Sequence, residues 1–177
     1  MSLIAIASGE GCNQTFSLLK HIYTGVPGIQ TPDIRLLNIP DKLQDIDILI
    51  LGAASESSEN YTAFLKEGGF LLINSDEKPV KAKIRMKNAI PISYGFDAKS
   101  SITSSSISHD NYKTIQICIQ RPLPTISGKT VIEQEFSVSI ESSEINNHSI
   151  LAAVTAALVN DFPPGAFSDA VYSLPGF

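Results

Sequence analysis

In its first 95 residues the chain sets out its apolar side chains in short runs, with Asp47 the one polar residue inside the three clearest. Leu3-Ile4-Ala5-Ile6-Ala7, Ile46 to Leu51 and Phe70 to Ile73 are the clearest. Runs of this length without alternation predict strands buried on both faces. Between the first two, Thr15 to Tyr23 places Phe16, Leu18, Leu19, Ile22 and Tyr23 at helical spacing, and Gly25, Pro27 and Gly28 stop that helix. Ile34 to Ile39, bounded by Pro32 and Pro40, predicts a short second strand. Ser58 to Lys66 predicts a helix ended by Gly68-Gly69, Val80 to Lys87 a short basic helix, and Ala89 to Gly95 a further strand. Strand and helix thus alternate with short connections, which predicts a parallel sheet with helices on both faces.

After Gly95 the pattern changes to period two. Ile115, Ile117 and Ile119 alternate with Gln116, Cys118 and Gln120. Ile132, Phe136, Val138 and Ile140 alternate with Glu133, Glu135, Ser137, Ser139 and Glu141. Alternation means strands with one wet face, hence an antiparallel pair joined through the Pro-rich link Arg121 to Lys129. The serine-rich stretch Ser100 to Ser108 predicts a polar edge strand. Asn147 to Val159 predicts an Ala-rich helix capped by Asn146 or Asn147, with Ile150, Leu151, Val154 and Leu158 on one face. Pro163-Pro164-Gly165 breaks it, and Phe167 to Leu174 predicts a last short helix. The fold class is α/β: a mostly parallel, doubly wound, Rossmann-like or P-loop-like sheet with an added antiparallel hairpin.

Composition narrows the function classes. At 177 residues, 43% apolar and 18% charged, the chain is expected to be one globular domain over residues 1–177. A net charge of −5 argues against broad nucleic-acid binding, which needs clustered Lys and Arg. No apolar run approaches the roughly 18 residues of a membrane span, and the N-terminus reads as a buried strand, not a signal peptide. Cys12 and Cys118 lie far apart, as expected of reduced thiols in the cytoplasm. His21, His109 and His148 have no metal-ligand spacing. No catalytic set and no metal cluster is expected, and the sequence does not set an oligomeric state.

The order of these elements resembles the central domain of the Mur ligase family, ATP-dependent amide ligases of peptidoglycan synthesis. Four stretches carry the resemblance. Ile4 to Thr15 stands where that family has strand, P-loop (GTNGKT) and helix; Gly69 to Glu77 looks like its "VVNADD" strand end. Ile92-Ser-Tyr-Gly95, followed by Ser101 to Ile107, looks like its "TYG" strand. Asn146 to Ala157 and the ending Ser173-Leu-Pro-Gly176 resemble its "HNxxNALAA" helix and "VPGR" border. ATP with Mg²⁺ is the cofactor such a resemblance implies.

The departures bear on that cofactor. Aligning on Thr15 puts Gln14 at the P-loop lysine and Asn13 at the preceding glycine. Gln cannot supply the charge that meets the β/γ-phosphates, and losing a preorganised cation removes several kcal/mol of transition-state stabilisation. The family's DH motif is missing from Gly52 to Asn60. Its carbamylated lysine, four residues after a Tyr, would fall on Leu65; Lys66 is one step off, about 100° around a helix. Ile145 replaces the histidine before Asn146, and Ser149 the second asparagine.

Seven residues are candidate cofactor contacts: Gly9, Gly11, Asn13, Gln14 and Thr15 at the first turn, and Asn74 and Asp76 where open α/β sheets bind ligands. Each group has a plainer reading. Gly9-Glu10-Gly11 also reads as a simple strand-to-helix turn, with Glu10 repelling phosphate, and Asn74 to Asp76 as a turn closed by side-chain hydrogen bonds. Cys12 reads as an inert, partly buried thiol, the basic run Lys78 to Lys87 as a solvated helix face, and His148 as a residue at the helix start near a backbone carbonyl. Glu133, Glu135 and Glu141 read as a strand's wet face.

The expected function is that of a stand-alone, degenerate Mur-ligase central domain in cell-wall (peptidoglycan) metabolism. It would be non-catalytic by itself, binding a nucleotide or anion weakly, or a protein partner that supplies the missing ligase domains. Were it active, it would be an ATP-dependent amide ligase. The alternative is an accessory subunit of a multi-chain enzyme: such a ligase, or a 2-oxoacid:ferredoxin oxidoreductase, whose gamma-type subunits resemble Leu65 to Asp76.

Overall fold

The structure, a computed structural model, describes residues 1–7, 9–37, 45–51, 64–77, 89–142 and 144–173. One nine-stranded sheet runs through it. Its strands in chain order are β1 (Leu3–Ala7), β2 (Asp33–Leu37), β3 (Ile46–Leu51), β4 (Leu65–Asn74), β5 (Ile90–Tyr94), β6 (Ile102–His109), β7 (Lys113–Ile119), β10 (Gln134–Ile140) and β11 (Val171–Tyr172). Across the sheet they lie β11-β10-β7-β6-β5-β4-β3-β1-β2. Pairing is parallel from β2 to β6, antiparallel through β6, β7 and β10, and parallel again at β11. A separate two-stranded antiparallel piece, β8 (Leu123–Pro124) with β9 (Thr130–Val131), sits inside the Pro-rich link between β7 and β10. The α/β class, with a mostly parallel sheet and an antiparallel extension, is the one read from the apolar pattern.

Three helices are described: α1 (Cys12–Thr24), α2 (Asn147–Val159) and α3 (Gly165–Ser168). α1 starts earlier than its apolar spacing predicts, because Gly11 takes the left-handed conformation (φ 75°) and opens the helix at once. α2 has the predicted bounds, and of the two asparagines offered as its cap it is Asn146, whose side chain accepts from the His148 N–H. Its burial is not confined to one face, since every residue from Ser149 to Val159 is buried. The small residues Ala152, Ala153, Ala156 and Ala157 let α1 and the sheet approach it closely, so the helix is interior rather than amphipathic.

The unbroken strands have two buried faces, as their composition requires. Ile4, Ile6, Ile48, Ile50, Leu72 and Ile92 pack with α1 and α2 on one side. Ala5, Ala7, Leu49, Leu51 and Leu71 form a second cluster with Leu37 and Ile46. The expected basic helix Val80 to Lys87, the expected helix at Ser58 to Lys66 up to residue 63, the stretch Gly52 to Asn60 and the ending Leu174 to Gly176 lie outside the described residues.

Four expectations are corrected. Leu65 and Lys66 begin β4 rather than end a helix, and Lys66 Nζ meets Asp47 Oδ1 on the neighbouring strand at 3.2 Å. The Leu65–Phe70 register shift against Ile46–Ile48 absorbs the Gly68-Gly69 pair as an irregularity within the strand. Ser100 to Ser108 is not an edge strand: β6 lies between β5 and β7, although it pairs with β5 only at Tyr94–Ile102. Ser105, Ser106 and Ser108 are exposed because β6 runs on past the end of β5. Ile132 does not belong to the alternating strand and is 66% exposed. The helix expected from Phe167 stops at Ser168, and Tyr172 pairs with Ile140 instead. Phe167 is held by aromatic rings: stacked on Phe136 at 5.2 Å and tilted on Phe162 at 4.7 Å.

Candidate functional site

β1 is flanked by β2 on one side and β3 on the other, so the chain reverses direction across the sheet there. Such a switch point opens a crevice at the carboxyl ends of the strands. A cleft of about 210 Å³ occupies it, lined by Ile6 and Ile50 below, by Glu10, Cys12 and Thr15 from the first turn, and by Asn74, Asp76 and Glu77 from the end of β4. Tyr94, Asn146, His148, Ser149 and Ala152 complete the lining. That volume is below the roughly 300–1,000 Å³ of pockets enclosing a drug-sized ligand, so the cleft suits the end of a ligand rather than a whole nucleotide. A second hollow lies in front of the turn itself, walled by Gly9 to Gln14, Glu144 and Asn146.

The turn has the geometry of a strand-to-helix connection drawn tight against α2. The Gly9 carbonyl accepts from Cys12 N at 3.3 Å, and the Gly11 carbonyl from Thr15 N at 2.9 Å. Thr15 Oγ1 and Ser149 Oγ both donate to that same Gly11 carbonyl at 3.1 Å. A β-carbon on Gly11 would stand 2.5 Å from Ser149 Oγ and displace that hydroxyl, and the φ of 75° strains any residue but glycine. Asn13 is exposed. Gln14 lines the hollow, and its Oε1 accepts the Asn146 N–H at 2.9 Å.

At the other wall, Asn74 Oδ1 accepts from Asp76 N at 3.1 Å, closing the expected turn, and its Nδ2 donates to Glu77 Oε1 at 2.9 Å. Asp76 reaches back to the β5–β6 connection. Its Oδ2 accepts from Phe96 N at 2.6 Å and its Oδ1 from Asp97 N at 2.9 Å. His148 Nε2 meets Asp76 Oδ2 at 2.8 Å, and the Phe96 ring stands edge-on to the imidazole at 5.1 Å. Burial alone would raise the Asp76 carboxyl, but the donors from Phe96, His148 and Asp97 together outweigh it and hold it below its ordinary 3.8. Tyr94 donates to the Leu51 carbonyl at 3.3 Å, and burial first, then the Glu77 charge, raises its phenol.

The seven candidate residues therefore gather at one end of the sheet, in two adjoining hollows: Gly9, Gly11, Asn13 and Gln14 at one, Thr15, Asn74 and Asp76 at the other. Both are acidic. Glu10, Asp76 and Glu77 line the cleft, Glu10 and Glu144 the turn hollow, and no Lys or Arg is among the lining residues described. His148 corrects its sequence reading: its partner is a carboxylate, not a backbone carbonyl. Its meeting with Asp76, 72 positions away, left no local signal; only the cap at Asn146 was legible. Cys12 and Cys118 are both free thiols. No group of three or more metal-ligating side chains is found among the described residues, and no described helix is long and apolar enough to cross a membrane.

No protein-family model and no curated protein matches the sequence. Solved structures do match the fold. The UDP-N-acetylmuramoylalanyl-D-glutamyl-2,6-diaminopimelate--D-alanyl-D-alanyl ligase of Acinetobacter baumannii superposes with a TM-score of 0.67 at 12% identity, over 96% of this chain and 45% of the ligase. A second MurF structure from Acinetobacter baumannii gives 0.64 at 12% identity, over 95% of this chain and 45% of that one. MurF ligase from Thermotoga maritima, in complex with ADP, gives 0.61 at 10% identity, over 96% and 48%. The chain spans less than half the length of these enzymes, and across that span its fold is Mur ligase-like.

Proposed function

We propose that this chain is a degenerate relative of the Mur-ligase central domain. It does not drive ligation by itself, and it serves cell-wall (peptidoglycan) metabolism by binding a protein partner rather than by turning over ATP. The observation that carries the reading is Gln14. At the position where the resemblance calls for a lysine, its side-chain oxygen is engaged with the Asn146 N–H. Phosphoryl transfer rests on positioning and on fixed positive charge, and the lining of both hollows offers carboxylates instead. The peptidoglycan link is drawn from the MurF likeness of the fold.

The test is calorimetric titration with Mg-ATP and Mg-ADP, with a phosphate control and an ATP-turnover assay, on the native chain and on Gln14→Lys. The native chain is expected to show no turnover and a Kd weaker than about 1 mM, or less than about 4 kcal/mol of binding. Nucleotide binding that appears only in Gln14→Lys supports a site that lost its cation. Micromolar binding with turnover by the native chain overturns the reading.

A further inference from the structure

Gln14 is more than an absent lysine, because its carboxamide joins two elements that approach each other from far apart in sequence. Its Oε1 accepts the Asn146 N–H at 2.9 Å. Asn146 is the cap of α2, and its own Oδ1 accepts the His148 N–H at 2.8 Å. That cap sets the first turn of α2, from which His148 Nε2 reaches Asp76 Oδ2 at 2.8 Å. Asp76 in turn holds the Phe96 and Asp97 amides, at 2.6 and 2.9 Å. The bonds run unbroken from the first turn of α1, over the cleft, to the β5–β6 connection. Short polar side chains at a helix start fix its orientation, and a bonded imidazole keeps one rotamer.

We propose that Gln14 is a positioning residue: by holding the cap of α2 it keeps His148 on Asp76 and so fixes the Phe96–Asp97 segment that Asp76, in the cleft wall, holds by its two oxygens. This rests on the reading above, in which Gln14 is not a phosphate ligand. A side chain that accepts a hydrogen bond from α2 has a role that a lysine, which only donates, cannot fill.

The test is amide hydrogen exchange followed by NMR on the ligand-free chain. Gln14→Met keeps the length of the side chain and removes the acceptor; Gln14→Glu restores an acceptor; Asn13→Ala is the control on the same turn. In Gln14→Met the Phe96 and Asp97 amides are expected to exchange about tenfold faster or more, while Ile115 and Ile117 of β7 keep their native rates. Gln14→Glu is expected to return Phe96 and Asp97 to native rates, and Asn13→Ala to leave them there. Faster exchange at Asn146 alone, or an equal acceleration of the β7 amides, overturns the proposal. Gln14→Ala, read the same way, stands in should Gln14→Met not fold. Because no nucleotide is present, the calorimetric outcome can sink the proposed function without touching this result, and the reverse also holds.

Discussion

A β-carbon on Gly95 would stand 2.8 Å from Asp76 Oδ2 and 2.5 Å from Ser75 Oγ. The residue after Tyr94 therefore has to be glycine for the end of β4 to close onto the β5–β6 connection. Its φ of 150° adds a backbone cost for any side chain. Gly95→Ala is expected to destabilise the fold by roughly 1–3 kcal/mol, read as a lower urea midpoint at unchanged slope. A midpoint equal to that of the native chain would show that the Asp76 turn yields freely.

The Asp76 carboxyl also sets an acid limit. Its folded-state pKa lies below the ordinary 3.8, through the donors from Phe96, His148 and Asp97 that outweigh burial. A depressed carboxylate contributes stability that is fully present above the unfolded value and is lost as pH falls through the folded one. Urea midpoints of the native chain should therefore drop more steeply below about pH 3.8 than those of Asp76→Asn. Parallel curves for the two proteins would remove Asp76 from the acid response.

Lys113 is a buried amine on the core-facing side of β7, 6% exposed, and its Nζ donates to the Ile145 carbonyl at 2.5 Å. Burial lowers its pKa from 10.5. The unfolded chain then holds this proton up to about 10.5 while the folded chain releases it earlier, so stability rises with pH inside that window. Relative to Lys113→Met, the native chain should gain stability as pH approaches 10.5 from below. Near neutral pH the two should lie within about 1 kcal/mol, since the cost of a buried cation is offset by its charge-assisted hydrogen bond. A difference between the two that stays flat with pH would show that Lys113 keeps its proton alike in both states.

Much of the fold was written locally. The run Ile46 to Leu51, apolar but for Asp47, calls for two buried faces, and it is β3 to the residue. The isoleucines of β7 alternate with polar side chains because one face is buried in the main core and the other is only half-buried. Asn146 announced the start of α2, and Gly11 the turn before α1. What periodicity could not supply was the environment of short segments. Phe167 reads as helical and is so, but the helix expected to run on to Leu174 ends at Ser168, and the chain pairs as strand with β10 from Val171. Leu65 and Lys66 read as helix, yet strand pairing with Ile46 overrides their propensity.

The candidate site divides the same way. The sequence by itself determined which residues end the strands, hence that Gly9 to Thr15 and Asn74 to Asp76 would face one crevice, because strand ends in a parallel sheet share a side. It also fixed the absence of a lysine at position 14. Only the tertiary structure decided that Gln14 is bound to Asn146, that Ser149 seals Gly11, and that His148 meets Asp76. Those pairs are 132, 138 and 72 positions apart. Hydrogen bonds act over about 3 Å, and no local pattern encodes which distant groups folding will bring within that reach.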